Sequence, residues 1–346
     1  MAGGEKNPMQ AIERCDFLDR WIETFDPETL LEVIRDGRFY HRLLHGGNFA
    51  VRHRRVLFRN SSLDCGDYSP AFAVAGQFSQ DQVCLGFTPR VVEPAWCNGF
   101  KIGKGDVLCF TEGAELQFRN APDTSWQVLL IDRAQLQEAS TILTGRPLDL
   151  PERGTSRVKS EDSASGLTSV IGTILAHLEN NTPGTLTGAA ARGLTEELVN
   201  AFVRAMAFTS DLSHNNGESF AGHRYAALRR AEQFLRQTMD GPFSSLGLCR
   251  AARMSERSVE MLFKDAYGMS PRAWSQIARL NAARQDLIKG DIDGLRVSEV
   301  AVRWGFYHFG RFSASYRRLF GELPSVTVAT RYRRIRPNRP IDLGDS

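Results

Sequence analysis

The feature that most restricts what this chain can fold into is a pattern that occurs twice near its C-terminus, 51 residues apart. In the first copy, over Leu246–Phe263, Leu248, Ala251 and Ala252 sit at core-facing positions. A break at Arg253-Met254 leads to Ser255, whose hydroxyl suits a helix N-cap, and Val259, Leu262 and Phe263 then recur at helical spacing. In the second copy, over Val297–Phe320, Val300, Ala301 and Trp304 form the inner face of a short helix. Gly305 permits a tight turn there, and Phe306, Phe312, Tyr316 and Phe320 anchor the next helix. A small residue, Ala301 here and Cys249 in the first copy, lets each helix pair approach closely. Pro271 opens a connecting helix with Trp274, Ile277, Leu280, Ala283 and Leu287 on one face. Its roughly 18 residues, at ~1.5 Å each, predict a strut of ~27 Å. The spacing thus predicts helix-turn-helix units over about 244–265 and 296–320, preceded by a helix over 224–238.

Charge divides the chain in the same place. Residues 221–340 carry 22 Lys+Arg against 10 Asp+Glu, a balance of +12, whereas the whole chain is only +3. A basic segment attached to an acidic one is the footprint of a nucleic-acid-binding module joined to a part with another task. Two recognition helices held ~27 Å apart could enter successive major grooves, which repeat every ~34 Å along one face of a duplex.

At this point a resemblance can be named. Residues 223–335 resemble the DNA-binding domain of the AraC/XylS family of bacterial transcription regulators. The resemblance rests on Met254-Ser255, Phe263, Gly268-Met269-Ser270-Pro271, Arg279-Leu280, Ala283 and Leu287. The second copy adds Ala301, Gly305-Phe306, Phe312, Tyr316-Arg317, Phe320-Gly321 and Pro324-Ser325. Two positions depart from the pattern. Arg253 stands where a glycine is usual, so that turn must avoid a left-handed backbone or bear strain. Val326-Thr327-Val328 replaces the usual Tyr-Arg after Pro-Ser.

The family's base-reading positions fall on Ser255, Glu256, Arg257, Glu260, Met261 and Lys264 in the first copy. In the second they fall on His308, Phe309, Gly310, Arg311, Ser313 and Ala314. Arg257 suits a forked contact to a guanine edge and Glu260 an acceptor for a cytosine amino group. Phe309 and Ala314 offer only apolar contacts, so the first helix is expected to supply more hydrogen-bonded readout and the second more shape and phosphate contact. Arg331, Arg333, Arg334 and Arg336 form a basic tail, either solvated or a phosphate clamp.

The N-terminal part reads differently. Phe17, Leu18, Trp21, Ile22, Phe25, Leu30, Leu31, Val33 and Ile34 recur at helical spacing and predict helix over about 10–45. From 50 to 131 short β-type runs are expected near 51–59, 72–78, 83–87, 100–102, 107–110, 116–119 and 127–131. Cys65-Gly66-Asp67, Thr88-Pro89, Gly103-Lys104-Gly105-Asp106 and Asn120-Ala121-Pro122-Asp123 act as separators. Strands at this spacing predict a small barrel or sandwich. Residues 144–166 read as a loop. Amphipathic helices follow, with Leu167, Val170, Ile171, Ile174, Leu175 and Leu178 on one, and Leu194, Leu198, Phe202 and Met206 on the other. They either form a homodimer interface or pack on the barrel. The Ser/Asn/Gly-rich stretch 209–222 reads as a linker. The fold class expected is α+β: an N-terminal cupin-like β-barrel with flanking helices over 1–208, then an all-α double helix-turn-helix domain.

By resemblance, the N-terminal part senses a small-molecule effector and dimerises. Double-stranded promoter DNA is the expected partner, RNA polymerase a second, and activation the expected output. Phe72, Phe78, Phe87, Trp96, Phe100, Phe110, Phe118 and Trp126 supply either a pocket lining or core, and Arg52, Arg54 and Arg55 either meet an anionic ligand or face solvent.

An enzyme carrying a fused DNA-binding domain, for alkyl-transfer repair or cupin oxygenation, is the alternative. Catalytic cupins need several His/Glu ligands, and the strand region has His53 alone. His41 and His45, placed i, i+4 on the expected helix, lack a third ligand. Glu93, Glu112 and Glu115 read as solvated carboxylates, and no nucleophile elbow, phosphate loop or H-E-x-x-H occurs. No metal or cofactor is expected. The six cysteines form no C-x-x-C pair and read as reduced, buried small hydrophobes. An architectural DNA-binding protein without an effector is the third reading, but the N-terminal part is too large and too apolar for a tail. No run reaches the ~18–20 apolar residues of a membrane span, and the start lacks an apolar signal core, so a cytoplasmic protein is expected.

Overall fold

In the computed structural model, residues 14–91, 95–159, 161–180, 186–207, 212–215, 220–290 and 296–335 are described. The strands are β1 Arg14–Ile22, β2 Arg38–Leu43, β3 Val51–Leu57, β4 Ser61–Tyr68, β5 Phe72–Gln77, β6 Val83–Arg90 and β7 Ala95–Cys97. They continue as β8 Phe100–Ile102, β9 Asp106–Phe110, β10 Glu115–Arg119, β11 Thr124–Ile131, β12 Thr155–Lys159, β13 Leu186–Thr187 and β14 Leu212–Asn215. They form a large sheet in the order β13-β1-β3-β4-β11-β6-β9-β12-β14 and a smaller one in the order β2-β5-β10-β7-β8. The class is α+β as expected, but no closed barrel is found among the described residues: the strands divide into two sheets.

Strand alternation explains how two cores share one sheet. On β11, Trp126, Val128 and Leu130 enter a core with Phe39, Phe72 and Phe78 of the smaller sheet. Leu129 and Ile131 turn the other way. That second face is covered by α1 Arg133–Thr144, α2 Glu161–Asn180 and α3 Ala189–Ala207. Leu167, Ile171, Ile174, Leu175 and Leu178 of α2, with Leu198, Phe202, Val203 and Met206 of α3, are buried there. The amphipathic faces noted in the sequence therefore close on the sheet of their own chain.

Several expectations for this half are corrected. Within 10–45 the described residues, 14–45, form no α-helix: they hold β1, a short 3-10 turn at Pro27–Leu30 and β2. β1 is paired residue for residue with β3, from Asp16 against Leu57 to Ile22 against Val51, and this pairing overrides a helix-like spacing that leaves Leu18 and Trp21 exposed. Cys65-Gly66-Asp67 lies inside β4, not in a turn. Gly66 is there because a Cβ would come within 2.3 Å of the Trp126 indole. Asp64 on the same strand is fully buried, accepting from Arg55 Nε at 2.5 Å and the Arg35 backbone N–H at 3.1 Å. Thr88-Pro89 likewise continues β6, and the expected loop at 144–166 contains β12 and the start of α2.

Within the expected linker, β14 pairs with β12, Thr155 against Asn215, while 209–211 and 216–219 lie outside the described residues. His41 sits on β2 and His45 just beyond it, so they share no helix face. Arg52, Arg54 and Arg55 are partnered internally, by Asp19 and Glu179, by Asp67 and Glu179, and by Asp64. Glu112 is gripped by Arg133 through two 2.8 Å bonds, which hold its carboxyl below the usual range, and Glu115 pairs with Arg229. Glu93 lies outside the described residues.

The C-terminal region is all helical: α4 Phe220–Gln237, α5 Ser245–Ala252, α6 Glu256–Tyr267, α7 Pro271–Lys289, α8 Val297–Arg303, α9 Phe309–Phe320 and α10 Pro324–Ile335. It packs directly against the smaller sheet. Leu280, Leu287, Phe312 and Tyr316 join the inter-sheet core, and Phe25 stacks on Phe320 with ring centroids 6.1 Å apart.

Candidate nucleic-acid interface

Each helix pair is built from local chemistry that the sequence displays. Ser244 caps α5, its hydroxyl accepting from the Gly247 N–H at 3.0 Å, and Ser255 caps α6 by accepting from the Ser258 N–H at 3.3 Å. Ser270 does the same for α7, with Pro271 at its first turn. Val259, Leu262, Phe263, Ala266 and Tyr267 turn α6 inward onto Leu248, Ala252 and Trp274. The tight seat between α5 and α6 belongs to the fully buried Ala252; Cys249, expected there, is half-buried. In the second unit Phe306, Phe312, Tyr316 and Phe320 form a ladder with centroids 5.0, 5.7 and 4.6 Å apart.

The two turns differ. Gly305 has φ +77°, ordinary for glycine. Arg253 closes α5 at φ 57°, ψ 43°, so of the two outcomes expected for this turn the strained one holds. Its N–H donates to Arg250 O at 3.2 Å and the Met254 N–H to Cys249 O at 3.1 Å, satisfying the last carbonyls of α5.

The outer face of α6 presents Glu256, Arg257, Glu260, Met261 and Lys264 to solvent, with Ser255 at its start. That of α9 presents Phe309, Gly310, Arg311 and Ala314, with His308 exposed at its N-cap and Ser313 half-buried. Eleven of the twelve sequence-predicted positions are thus exposed on the two helices and their N-caps, Ser313 being half-buried. Of the basic tail, Arg331 is buried, Arg333 and Arg334 continue α10 without described side chains, and Arg336 lies outside the described residues.

The strut does more than space the two units. Arg284 on α7 is buried and donates through Nε to Phe25 O at 2.8 Å. Its Nη1 donates to Glu322 Oε1 at 2.9 Å, and to Tyr316 Oη and Thr327 Oγ1 at 3.2 Å each, while its guanidinium lies 4.7 Å from the Phe320 ring centroid. Thr327, one of the departures from the family pattern, is therefore a partner in this network. Three residues earlier, Asn281 clasps the end of β2: its Oδ1 accepts from Leu43 N–H at 2.9 Å and its Nδ2 donates to Leu43 O at 3.0 Å.

The first unit is held as firmly. Arg119 on β10 donates to Ala266 O at 3.2 Å. Glu232 on α4 is buried, accepts from Gln117 Nε2 at 3.0 Å and Arg236 Nη2 at 2.9 Å, and is bonded to the Tyr267 hydroxyl. Burial raises its pKa above the usual carboxylate value, with Arg236 and Arg42 opposing. Sequence reasoning missed Asn281, Arg284 and Glu232. Their signal was a polar residue interrupting the apolar stripe of an amphipathic helix, a position that demands a buried partner.

No group of three or more His, Cys, Asp or Glu among the described residues is placed to hold a metal ion. The cysteines are free, and burial raises the thiol of Cys109 to about 12 and that of Cys15 to about 11, away from reactive thiolate. No described helix is long and apolar enough to cross a membrane.

The helix-turn-helix domain family matches residues 248–330, covering α6 through α9 in full. The chain is 34% identical over 103 residues to a probable thc operon regulatory protein of Rhodococcus erythropolis, 30% of this chain and 31% of that protein. It is 34% identical over 105 residues to XylDLEGF operon transcriptional activator 1 of Pseudomonas putida, 30% and 32% of the two chains. With the transcriptional activator NphR of Rhodococcus sp it shares 31% over 192 residues, 54% and 52%. The chain thus spans about a third of the length of the first two relatives and about half of the third. Two helix pairs on one connecting helix, matched in sequence to these regulators, make the C-terminal part of this chain a helix-turn-helix domain of the AraC/XylS family.

Proposed function

We propose that the chain is a DNA-binding transcriptional regulator that sets α6 and α9 into successive major grooves and activates a nearby promoter when a small effector occupies its N-terminal part. The observation that carries this reading is the pair of outward-facing helices on a 19-residue strut, ~28 Å long against a groove repeat of ~34 Å. Arg257 forks to a guanine edge and Glu260 accepts from a cytosine amino group, while Met261, Phe309 and Ala314 meet thymine methyls. Ser255, Glu256, Lys264, His308, Arg311 and Ser313 flank them, and Gly310 lets the backbone approach the duplex closely.

The two-sheet N-terminal part serves as the sensing chamber, in the role a cupin-like barrel would fill. A ligand between the sheets displaces β2 and β10, and with them the clasps on α7 and α6, shifting the balance between DNA-bound arrangements. Cytoplasmic promoter DNA, RNA polymerase and a second copy of the chain are the partners this reading implies. Selection of bound sequences from random duplex DNA, with the full chain at near-physiological salt, tests it. Two short enriched blocks about one helical turn apart are expected; salt-sensitive binding to every sequence alike, with and without effector candidates, refutes it.

A further inference from the structure

Between the two sheets lies a partly open cavity of about 60 Å3 whose walls include Phe78, Phe110, Trp126 and Val128. Its lining contains no Asp, Glu, Lys or Arg. Of the polar side chains among its lining residues, His41 and Tyr68 are bonded to each other, whereas Thr88 Oγ1 and Gln127 Oε1 have no partner in the protein, and Gln127 sits on β11 between Trp126 and Val128, which face the inter-sheet core. His41 Nδ1–H donates to Phe39 O at 3.2 Å, and its Nε2 accepts from the Tyr68 hydroxyl at 3.0 Å. Burial lowers the His41 pKa to about 4, so this ring is neutral near pH 7. Thr88 is different. It lines the cavity at a bulge, where the register of β6 against β11 shifts between Phe87 and Arg90, just past the regular alternation that sends Cys84 to the inter-sheet core and Leu85 and Phe87 to the opposite one. Its side chain is buried, at 6% exposure, and its Oγ1 has no hydrogen-bond partner in the protein. Two residues away, a Cβ added at Gly86 would sit 3.5 Å from Val128 Cγ2 and 3.7 Å from Phe110 Cε2, in ordinary contact. One methyl would therefore fit at Gly86 without a clash, beside a hydroxyl without a partner.

We infer that this cavity binds a small uncharged molecule, a short-chain alcohol, ketone or amide, with its apolar end among the aromatic side chains and its one polar group on Thr88 Oγ1. The inference rests on the reading of the N-terminal part as a sensing chamber and names the ligand class that chamber takes. Charge settles the class: a carboxylate here would lose its water without meeting a cation or several N–H donors, whereas a hydroxyl or carbonyl needs one partner and finds it. Size limits it further, since ~150 Å3 is the scale of a cavity that accommodates benzene. Arg52, Arg54 and Arg55 of β3 are committed to Asp19, Asp64, Asp67 and Glu179.

Ligand-observed NMR on the full chain, with 1-propanol and propionate as a pair matched in length, tests the inference. Saturable binding of 1-propanol is expected, with propionate at least about tenfold weaker. Gly86→Val, which adds bulk at a lining position two residues from Thr88, is expected to abolish 1-propanol binding. Thr88→Val, isosteric and not dependent on Gly86→Val folding, is expected to weaken it by about two- to tenfold. Propionate binding as tightly as 1-propanol overturns the inference, as does absence of saturable 1-propanol binding or affinity untouched by Thr88→Val. The DNA selection described above reads the regulator hypothesis separately. Sequence-specific DNA binding without 1-propanol binding removes the ligand class alone, and 1-propanol binding without sequence preference removes the regulator alone.

Discussion

Arg253 offers the sharpest test of how the first helix pair is built. A non-glycine residue at φ 57°, ψ 43° brings its Cβ against the following carbonyl, at a cost of about 1–2 kcal/mol. Replacing it by glycine removes that cost but adds unfolded-state freedom worth about 0.5–1 kcal/mol. The side chain is exposed, so little packing is lost. The net expectation for Arg253→Gly is a stabilisation of about 0.5–1 kcal/mol. Gly305→Ala provides the mirror experiment in the second pair. It imposes the same backbone cost at φ +77° and sets a Cβ 2.9 Å from Arg279 Nη1, which must shift. A loss of about 1–2 kcal/mol is expected. Equilibrium urea unfolding of the full chain, followed by helix signal, reads both. At a slope near ~2.5 kcal/mol/M, Arg253→Gly should raise the midpoint of the helical transition by roughly 0.2–0.4 M without changing the slope. A midpoint lowered by Arg253→Gly would mean that this turn is not left-handed or that the arginine side chain makes a stabilising contact, and the argument from backbone geometry would fail.

Other tests reach the remaining parts of the molecule. Arg257→Ala should cost about 1–3 kcal/mol of DNA affinity and relax preference at one base pair, whereas Arg311→Ala should weaken all sequences alike and shallow the salt dependence; identical behaviour of the two in a binding titration would remove Arg257 from base reading. Gly46→Ala places a Cβ 1.8 Å from the Arg318 carbonyl oxygen, so it should pry α9 from the N-terminal part and speed amide exchange there, while strands β4 and β11 keep their protection. Asn281→Ala leaves Leu43 N–H and C=O without their partner and should cost about 1–3 kcal/mol, detectable as earlier proteolytic cleavage between the two halves. His41 is neutral in the fold with a pKa of about 4, against 6.5 when unfolded, so its contribution is complete above pH 6.5 and is lost as pH falls from 6.5 towards 4. That loss amounts to about 3 kcal/mol, and in acid titrations of stability His41→Gln should flatten this segment of the curve.

The C-terminal half was legible because its information is local. Ser255, Ser270 and Pro271 announce helix starts within their own turn, and the Phe306–Phe320 ladder repeats at helical spacing, so neither needs a distant partner to be recognised. Sheets are another matter. β1 carries a spacing that a helix would also produce, and only its register against β3, some 35 residues away, decides the outcome. Gly66 signals a turn in isolation, yet it is required by the Trp126 ring that β11 brings across it. The same holds for the site. The exposed faces of α6 and α9 follow from periodicity, whereas Asn281, Arg284 and Glu232 matter through groups on β2, the segment at Phe25 and β10. A single chain of letters shows that such residues are polar and out of place; it does not show who meets them.

The position of Arg284 bears on where this chain can be divided. By sequence, the stretch between the two halves looks like a natural place to cut, and a fragment beginning near residue 221 would keep both helix pairs. Such a fragment would expose Leu280, Leu287, Phe312 and Tyr316 where they had been covered, and would leave Arg284 Nε facing the gap that Phe25 had filled. Grafting these helices onto another sensor meets the same obstacle, because the foreign partner must present a carbonyl in place of Phe25 O and an exposed strand end in place of Leu43. The basic half is therefore not portable alone: α7 needs the segment from Phe25 through β2, and α4 and α6 need Gln117 and Arg119 of β10.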